Sequence, residues 1–322
     1  AYEIRIRDWS SNVCSSDLWG TPLNIWECEC GNRECIGSRA ELAERSGNPD
    51  AAKVELHRPY IDEVTFPCPK CGKTMKRVPE VIDCWFDSGA MPFAQHHYPF
   101  ENQELFKQQF PAQFISEAVD QTRGWFHSLM AESTLLFNKA PYENVIVLGH
   151  VQDENGQKMS KSKGNAVDPF GAIEKYGTDP LRWYMISNSS PWDNLKFDTA
   201  GVEEVSRKFF GTLYNTYSFF ALYANVDGFD PKAAKVEYSK RPEIDRWIIS
   251  LLNTLKKKVV AAYEDYDITT AGRLIQDFVC DDLSNWYVRL NRKRFWGSAD
   301  NEDKLAAYQT LYEVLKTVSI LA

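Results

Sequence analysis

Apolar residues follow two kinds of pattern along this chain of 322 residues. Between residues 78 and 147, short apolar runs such as Val81-Ile82 and Val145-Ile146-Val147-Leu148 predict β-strands. The segment from Gln121 to Leu136 lies between these runs and has the three- and four-residue apolar spacing of a helix. This alternation predicts β-α-β units around a parallel sheet.

The pattern changes at about residue 201, where strand signals become few. Apolar residues then recur at helical spacing in four segments, which are Val202–Tyr223, Pro242–Tyr266, Thr269–Trp286 and Lys304–Leu321. Such spacing is typical of helices that bury one face against each other. The sequence therefore predicts an α/β domain over residues 1–200, followed by an all-α helical bundle over residues 201–322.

Composition narrows the class of protein. The chain is 43% hydrophobic and 25% charged, as folded globular proteins are. No apolar run approaches the roughly 20 residues that span a bilayer, so we expect no membrane partner. The net charge of -8 argues against a protein that coats nucleic acid, although one local basic patch can bind it. Residues Ala1 to Trp9 lack the features of a secretory signal, which favours a cytoplasmic setting.

Cysteines occur in two groups that suit a metal site in a reducing compartment. Cys68 and Cys71 form a C-x-x-C pair, the spacing at which two thiolates bind one tetrahedral Zn²⁺. Two more ligands are needed, and the earlier group offers Cys28, Cys30 and Cys35. We predict Cys28 and Cys30, with Cys35 as the alternative ligand. Reduced cysteines without a metal are the competing interpretation.

A polar loop over residues 153–165 carries the strongest candidate chemistry. It follows a predicted strand and contains the run Lys158-Met159-Ser160-Lys161-Ser162-Lys163-Gly164-Asn165. Lysine ammonium groups can neutralise a leaving pyrophosphate, while hydroxyls and backbone N–H groups bind phosphate oxygens. The loop therefore predicts a polyphosphate site, and a solvated basic turn is the alternative.

The exact residues of this loop identify a family resemblance. Lys158 through Ser162 matches the second signature of class I aminoacyl-tRNA synthetases letter for letter, and Gly164-Asn165 and Asp168-Pro169 follow as they do in that family. The resemblance implies that residues 1–200 are the second half of a Rossmann-like nucleotide-binding domain. It also implies a zinc-ribbon insertion at about residues 24–78.

The same resemblance implies roles for the loop residues. ATP, with Mg²⁺, would be bound by Lys158, Met159, Ser160, Lys161 and Ser162. Lys158 and Lys161 would be the catalytic residues, because they would stabilise the adenylation transition state. His150 is a further ATP-binding candidate, although the chain reads Gly149-His150 where the family often places His before the glycine.

Three other segments are similar to the isoleucine-specific branch of the family: Asp83 through Gly89, Phe114 through Phe126, and Asp281 through Arg289. The resemblance implies that Glu117 and Asp120 face the substrate ammonium and that Gln121 contacts the adenylate. It also implies that Trp85 and Trp125 form the pocket for the aliphatic side chain. Isolated carboxylates beside a tryptophan are more often surface residues, so the joint spacing carries this prediction.

Basic residues cluster close to the end of the third predicted helix. Arg289, Arg292, Lys293 and Arg294 are interleaved with aromatic residues that include Trp286 and Trp296. Basic groups bind phosphates and aromatic rings stack on unpaired bases, whereas a solvated helix face is the alternative. By resemblance, residues 201–322 are part of a helical anticodon-binding domain, and the four basic residues are candidate tRNA contacts.

The expected function is ATP-dependent activation of isoleucine and its transfer to tRNA(Ile) by a monomeric enzyme. The first class signature, His-Ile-Gly-His, and an editing domain are absent from the sequence. We therefore expect an internal piece of a longer enzyme, inactive or weakly active alone. The alternatives are a valine-specific fragment, which Trp85-Phe86-Asp87 argues against, and a non-catalytic tRNA-binding or zinc-ribbon module.

Overall fold

The computed structural model describes residues 20–160, 163–297 and 302–322. The chain divides between Val145 and Ile146 into two compact units, called unit 1 and unit 2. Both units contain strands and helices, so the protein is of the mixed α/β class. The division is one of packing, and the predicted functional division near residue 200 stays a prediction.

Unit 1 begins with a four-stranded antiparallel sheet in the order β2-β1-β4-β3. Its strands are β1 (Ile25–Glu27), β2 (Arg33–Cys35), β3 (Phe66–Pro67) and β4 (Thr74–Arg77). Helix α1 (Arg39–Ser46) follows β2 and begins at Ser38, whose side chain accepts a hydrogen bond from the Glu41 N–H. Trp26 and Met75 are buried between these elements, so the small sheet has a hydrophobic core of its own.

The rest of unit 1 places two helices against each other. Its elements are α2 (Cys84–Ala94), α3 (Gln103–Gln109), β5 (Ala112–Ala118) and α4 (Trp125–Phe137). Strand β6 (Tyr142–Leu148) begins in unit 1 and continues past the division at Val145. Strands β5 and β6 pair with each other, and α4 connects them along the chain. Helix α2 packs against α4. This helix pair holds two of the five residues predicted to bind the substrate, Trp85 and Trp125.

Two sequence predictions for unit 1 need correction. The helix predicted from Gln121 begins at Trp125, because residues Val119–Arg123 form a 3-10 turn that ends at Gly124. The strand predicted at Val81-Ile82 is reduced to an isolated bridge between Pro22 and Val81. The chain enters α2 three residues after this bridge, which leaves little length for a strand.

Unit 2 begins with a short parallel pair of strands, β7 (Val151–Gln152) and β8 (Leu195–Lys196). Helices α5 (Pro169–Tyr176) and α6 (Thr178–Ser187) lie between them in sequence. Tyr184 and Phe197 form a small apolar cluster with neighbouring side chains of these elements. The signature loop, residues 153–165, leaves this layer directly after β7.

The four segments predicted to be helical beyond residue 201 are helical in the structure. They contain α7 (Thr199–Val205) with α8 (Gly211–Val226), then α9 (Glu243–Glu264), α10 (Ile268–Asp277) and α12 (Glu302–Leu321). A further helix, α11 (Arg289–Trp296), begins after the third predicted segment, which ends at Trp286. Two π-helical segments join these helices: Ser206–Phe210 joins α7 to α8, and Phe278–Val288 joins α10 to α11. Side chains such as Ile248, Leu283 and Val314 form one continuous core.

A buried ionic network connects the helices of this bundle. Asp245 is fully buried and accepts hydrogen bonds from the Tyr287 hydroxyl, at 2.8 Å, and from Arg294 Nη1, at 2.7 Å. Arg294 also pairs with Asp303 at 2.8 Å. A buried carboxylate destabilises a fold unless such partners compensate its lost hydration. The network therefore links α9, α11 and α12.

Among the described residues, no helix combines the length and hydrophobicity needed to cross a membrane.

Candidate functional site

Four of the predicted metal ligands come together in unit 1. The Sγ atoms of Cys28, Cys30, Cys68 and Cys71 all lie within 4.8 Å of one another. The Cys28–Cys71 distance is 3.4 Å and the Cys30–Cys68 distance is 3.7 Å. A regular tetrahedron with Zn–S bonds of about 2.3 Å places its sulfurs about 3.8 Å apart. The donor set therefore fits Zn²⁺ in size and chemistry. Cys35 is exposed at the end of β2 and is not part of this group.

The sheet explains why these cysteines meet. Each pair lies on a tight turn closed by a glycine N–H, from Gly31 to the Cys28 carbonyl and from Gly72 to the Cys68 carbonyl. Both glycines have positive φ, which other residues rarely adopt. Burial alone would raise the pKa of the Cys68 thiol, but the N–H groups of Lys70 and Cys71 outweigh it and lower that pKa. The thiolate form that a metal requires is thus favoured at Cys68. At Cys28 the Cys30 N–H lowers the pKa, but burial and the neighbouring thiols outweigh it and raise the pKa of Cys28 to about 12.

Trp85 and Trp125, together called the tryptophan wall, lie at the first turns of α2 and α4. Asp83 begins α2 by accepting a hydrogen bond from the Trp85 N–H at 2.9 Å. The Trp85 ring lies against Gly124, where an added Cβ would be 2.8 Å from two ring atoms. Trp85 is 49% exposed. The wall therefore presents an aromatic surface that an aliphatic side chain can cover.

Hydrogen bonds between the two helices orient the wall. The Trp125 indole N–H donates to the Ser88 carbonyl at 3.0 Å, and its backbone N–H donates to Gln121 Oε1 at 2.9 Å. The hydroxyls of Ser88 and Ser128 are 3.3 Å apart, and they donate to the carbonyls of Trp85 and Trp125, respectively. The structure thus brings three predicted residues, Trp85, Gln121 and Trp125, into one constellation. Sequence reasoning missed the two serines, which lie 40 positions apart.

The predicted carboxylates lie beside this constellation. Glu117 is exposed near the end of β5, and Asp120 is exposed on the 3-10 turn that follows. Asp120 accepts a hydrogen bond from Gln121 Nε2 at 3.3 Å. Gln121 therefore connects a carboxylate to the backbone of Trp125. Such an arrangement can bind an ammonium group next to an apolar side chain.

The signature loop in unit 2 is held by local polar contacts. Asn165 donates to Asp153 Oδ2 at 2.8 Å and accepts from the Ser160 N–H at 2.9 Å. Lys158 is exposed, while Met159 packs against the apolar cluster around Tyr184. The hydrogen bond from Asn165 lowers the pKa of Asp153 and keeps it charged. The predicted residues Lys161 and Ser162 lie outside the described residues.

Asn165 and Asp153 form the clamp of this loop, a role that sequence reasoning did not assign. Asp153 also accepts backbone N–H bonds from Asn155, at 3.0 Å, and Gln157, at 2.8 Å. An aspartate that precedes Glu-Asn-Gly is a turn signal of this kind, so the turn itself was visible in the sequence. Asn165 bonds to the second carboxylate oxygen of Asp153 from 12 positions later, and nothing in the sequence indicated that pairing.

His150 is placed by its backbone. Its N–H donates to Asn194 Oδ1 at 2.8 Å, and its carbonyl accepts from the Leu195 N–H at 3.0 Å. His150 as a whole is exposed. The preceding Gly149 lies against the backbone of Asp193, where any Cβ would clash with the carbonyl. The predicted role of His150 in ATP binding stays a prediction.

The four predicted tRNA contacts separate into two kinds. Arg289, Arg292 and Lys293 are exposed on α11. Arg294 is paired with Asp245 and Asp303 inside the bundle, and its side chain is only 14% exposed. Its guanidinium is therefore already occupied, and we leave Arg294 out of the candidate contacts.

Comparisons with known proteins identify the family to which the chain belongs. Residues 4–198 match the family model of class I tRNA synthetases (I, L, M and V), and residues 245–322 match the anticodon-binding domain of tRNA ligases. Curated isoleucine–tRNA ligases of Bacteroides fragilis and Clostridium tetani are each 57% identical to this chain over 98% of its length. The chain spans 30% of the length of each of these relatives.

Solved structures of similar fold come from related enzymes. A LeuRS of Agrobacterium radiobacter, in a ternary complex with tRNA and LeuAMS, has a TM-score of 0.69 and 18% identity, and covers 95% of this chain and 38% of its own. A methionyl-tRNA synthetase of Mycobacterium tuberculosis with methionyl-adenylate has a TM-score of 0.62 and 20% identity, and covers 80% and 49%. Since the first family model matches more than half of its residues, the chain belongs to the class I tRNA synthetases (I, L, M and V).

Proposed function

We propose that this chain is part of an isoleucine–tRNA ligase. In the reaction, the isoleucine carboxylate attacks the α-phosphorus of ATP, which forms isoleucyl-adenylate and releases pyrophosphate. The isoleucyl group then passes to the terminal ribose of tRNA(Ile). The observation that carries the proposal is the 57% identity to curated isoleucine–tRNA ligases along 98% of the chain.

The tryptophan wall supports the choice of amino acid. Trp85 and Trp125 offer a flat apolar surface to the aliphatic side chain, and Glu117 and Asp120 offer negative charge to its ammonium group. Gln121, which bonds to Asp120 and Trp125, is suited to contact the adenylate. A pocket of this kind discriminates by about 1–3 kcal/mol per methylene, isoleucine against valine being the well-known case.

The signature loop supports the adenylation step. Lys158 and Lys161 would stabilise the charge that develops on the pyrophosphate, while Met159, Ser160 and Ser162 would contribute to ATP binding. Mg²⁺, when bound with ATP, supplies further positive charge at the phosphates. Asn165 holds the backbone of the loop at Ser160 and at the carbonyl of Lys158, while it is itself bonded to Asp153.

The four-cysteine group supports a zinc ribbon over about residues 24–78, inserted into the second half of a Rossmann-like domain. A bound Zn²⁺ would link the β1–β2 turn to the β3–β4 turn and stabilise this small sheet. Such free thiolate ligands belong in a reducing compartment, and we place the enzyme in the cytoplasm.

Native mass spectrometry should find one Zn²⁺ bound per chain. The Cys68→Ser variant should lose this Zn²⁺, whereas the Cys35→Ser variant should retain it. Loss of zinc from both variants alike would contradict the ligand set.

The helical region supports tRNA binding. Arg289, Arg292 and Lys293 present positive charge on the exposed side of α11, where phosphates could approach. In the proposed division, residues 1–200 belong to the catalytic domain and residues 201–322 to the helical anticodon-binding domain. We propose a monomeric enzyme.

Amino-acid-dependent pyrophosphate exchange by the full-length gene product tests the function. Isoleucine should support exchange far better than valine, and Lys161→Ala should lower the rate about 100-fold or more, because a charge contact in the transition state is lost. Lys235→Ala, an exposed lysine outside the loop, should leave the rate unchanged. An unchanged rate in Lys161→Ala would refute the role of the loop. Preference for valine, or tRNA binding without any exchange, would identify the two alternative functions.

A further inference from the structure

A buried carboxyl group lies behind the tryptophan wall. Glu132 is on α4, two helical turns after Trp125, and is only 8% exposed. Its Oε2 atom is enclosed and has no hydrogen-bond partner among the described residues. Burying a polar group without a partner destabilises a fold. A carboxyl in this position therefore calls for an explanation that packing alone does not provide.

Glu132 contacts the one place where α2 offers no side chain. A Cβ at Gly89 would clash with Glu132 Oε1 and lie 2.8 Å from its Cδ. Gly89 directly follows Ser88, whose carbonyl accepts the indole N–H of Trp125. The carboxyl of Glu132 thus fills the α2–α4 contact beside the hydrogen bonds that orient the wall.

The charges around Glu132 favour its neutral form. Burial and, to a smaller extent, the nearby negative charge of Asp87 raise the pKa of Glu132 to about 7. Asp87 lies on α2 and accepts a hydrogen bond from the Thr21 N–H at 3.3 Å. Asp120 and Arg123, on the turn before α4, are both exposed. No ion pair with a basic side chain compensates Glu132 within the described ranges.

We propose that Glu132 is a positioning residue for the amino-acid pocket. In its neutral form it allows α2 to lie close against α4, which aligns Trp85 with Trp125. When it loses its proton, repulsion from Asp87 loosens this contact and the pocket binds its substrate less tightly. The inference rests on the proposed function, because it assigns the wall to amino-acid binding.

Pyrophosphate exchange by the full-length protein between pH 6 and pH 8 tests this role. The KM for isoleucine should rise several-fold with pH, while kcat and the KM for ATP change little. Glu132→Gln, which keeps the shape and stays neutral, should retain the low KM across the range. Glu143→Gln, exposed on β6, should behave as the wild type does. A Glu132→Gln variant with the wild-type pH dependence would overturn the proposal.

A second measurement separates this inference from the proposed function. If no amino acid supports exchange, the proposed function fails, but the coupling of Glu132 to the wall is still testable by tryptophan fluorescence. The wild type should show a fluorescence change with a midpoint near pH 7, as should Glu143→Gln, and Glu132→Gln should lack it. An identical titration in Glu132→Gln would show that Glu132 does not position the wall, whatever reaction the protein catalyses.

Discussion

The tryptophan wall and the signature loop are held in place in different ways. The wall depends on hydrogen bonds between α2 and α4, such as the bond from the Trp125 indole N–H to the Ser88 carbonyl, whose residues lie 37 positions apart. The described part of the loop depends on hydrogen bonds between its own residues, such as the bond that joins Asp153 to Asn165. Substitutions in the wall should therefore change affinity and stability together, whereas those in the loop should change the chemistry and leave stability almost untouched.

Gly124→Ala should have the largest effect of the changes that test this comparison. The new Cβ would meet the Trp85 ring and Gln121 Oε1, each at 2.8 Å, and force the wall apart. We expect the KM for isoleucine to rise by about 10-fold or more and the free energy of unfolding to fall by about 1–3 kcal/mol. Exchange kinetics and denaturant unfolding measure the two quantities.

Gly37→Ala is the matched control, since its Cβ would meet only Glu41 Oε2, at 3.5 Å, an ordinary contact. It should leave the KM for isoleucine unchanged. If Gly124→Ala altered kcat while the KM and stability stayed constant, the wall would not depend on packing in the way described.

Asn165→Ala should have an intermediate effect, confined to chemistry. Asp153 Oδ2 and the Ser160 N–H would each lose the bond to Asn165, so the loop would sample other conformations. We expect kcat for exchange to fall about 5-fold to 10-fold, from net hydrogen-bond contributions of about 0.5–1.5 kcal/mol each. The free energy of unfolding should stay within about 0.5 kcal/mol, as for other surface changes.

The control for the loop is Asn155→Ala, in the same turn, because Asn155 contacts Asp153 through its backbone N–H. Its kcat should equal that of the wild type. A large loss of stability in Asn165→Ala would show that the loop is coupled to the core, and the contrast with the wall would then disappear.

Ser128→Ala should have the smallest effect. It removes the hydroxyl that bonds to the Trp125 carbonyl and approaches Ser88, and we expect a rise of about 2-fold to 3-fold in the KM for isoleucine. Ser133→Ala, on the same helix, loses a bond to the Lys139 carbonyl and should cost similar stability without a change in KM. Equal KM values for the two variants would contradict the role of Ser128.

The same contrast explains which parts of the site the sequence could predict. The loop is a continuous run, so its residue types alone indicated a phosphate site. The cysteine pairs were visible for the same reason, although the choice of Cys28 over Cys35 depended on how β1 and β2 turn. Resemblance supplied Trp85 and Trp125, but the bonds that join them cross between helices and leave no local pattern.

Long-range pairing also explains the prediction that changed most. From the sequence, Arg294 looked like an exposed basic residue among other basic residues. Its partner Asp245 lies 49 positions earlier in the chain. Only the packing of α9 against the end of the π-helical segment brings the two together. Glu132 was missed for a related reason, since one acidic residue in a helix is usually a surface residue and its burial depends on Gly89.

The close approach of Gly149 to the backbone of Asp193 restricts how this segment can evolve. Exchanging Gly149 and His150 would force an imidazole into the turn at residues 190–194. The order Gly149-His150 is therefore matched to the backbone of that turn. Grafting either Gly149-His150 or the turn at residues 190–194 alone into another synthetase should fail, whereas transplanting both together should succeed.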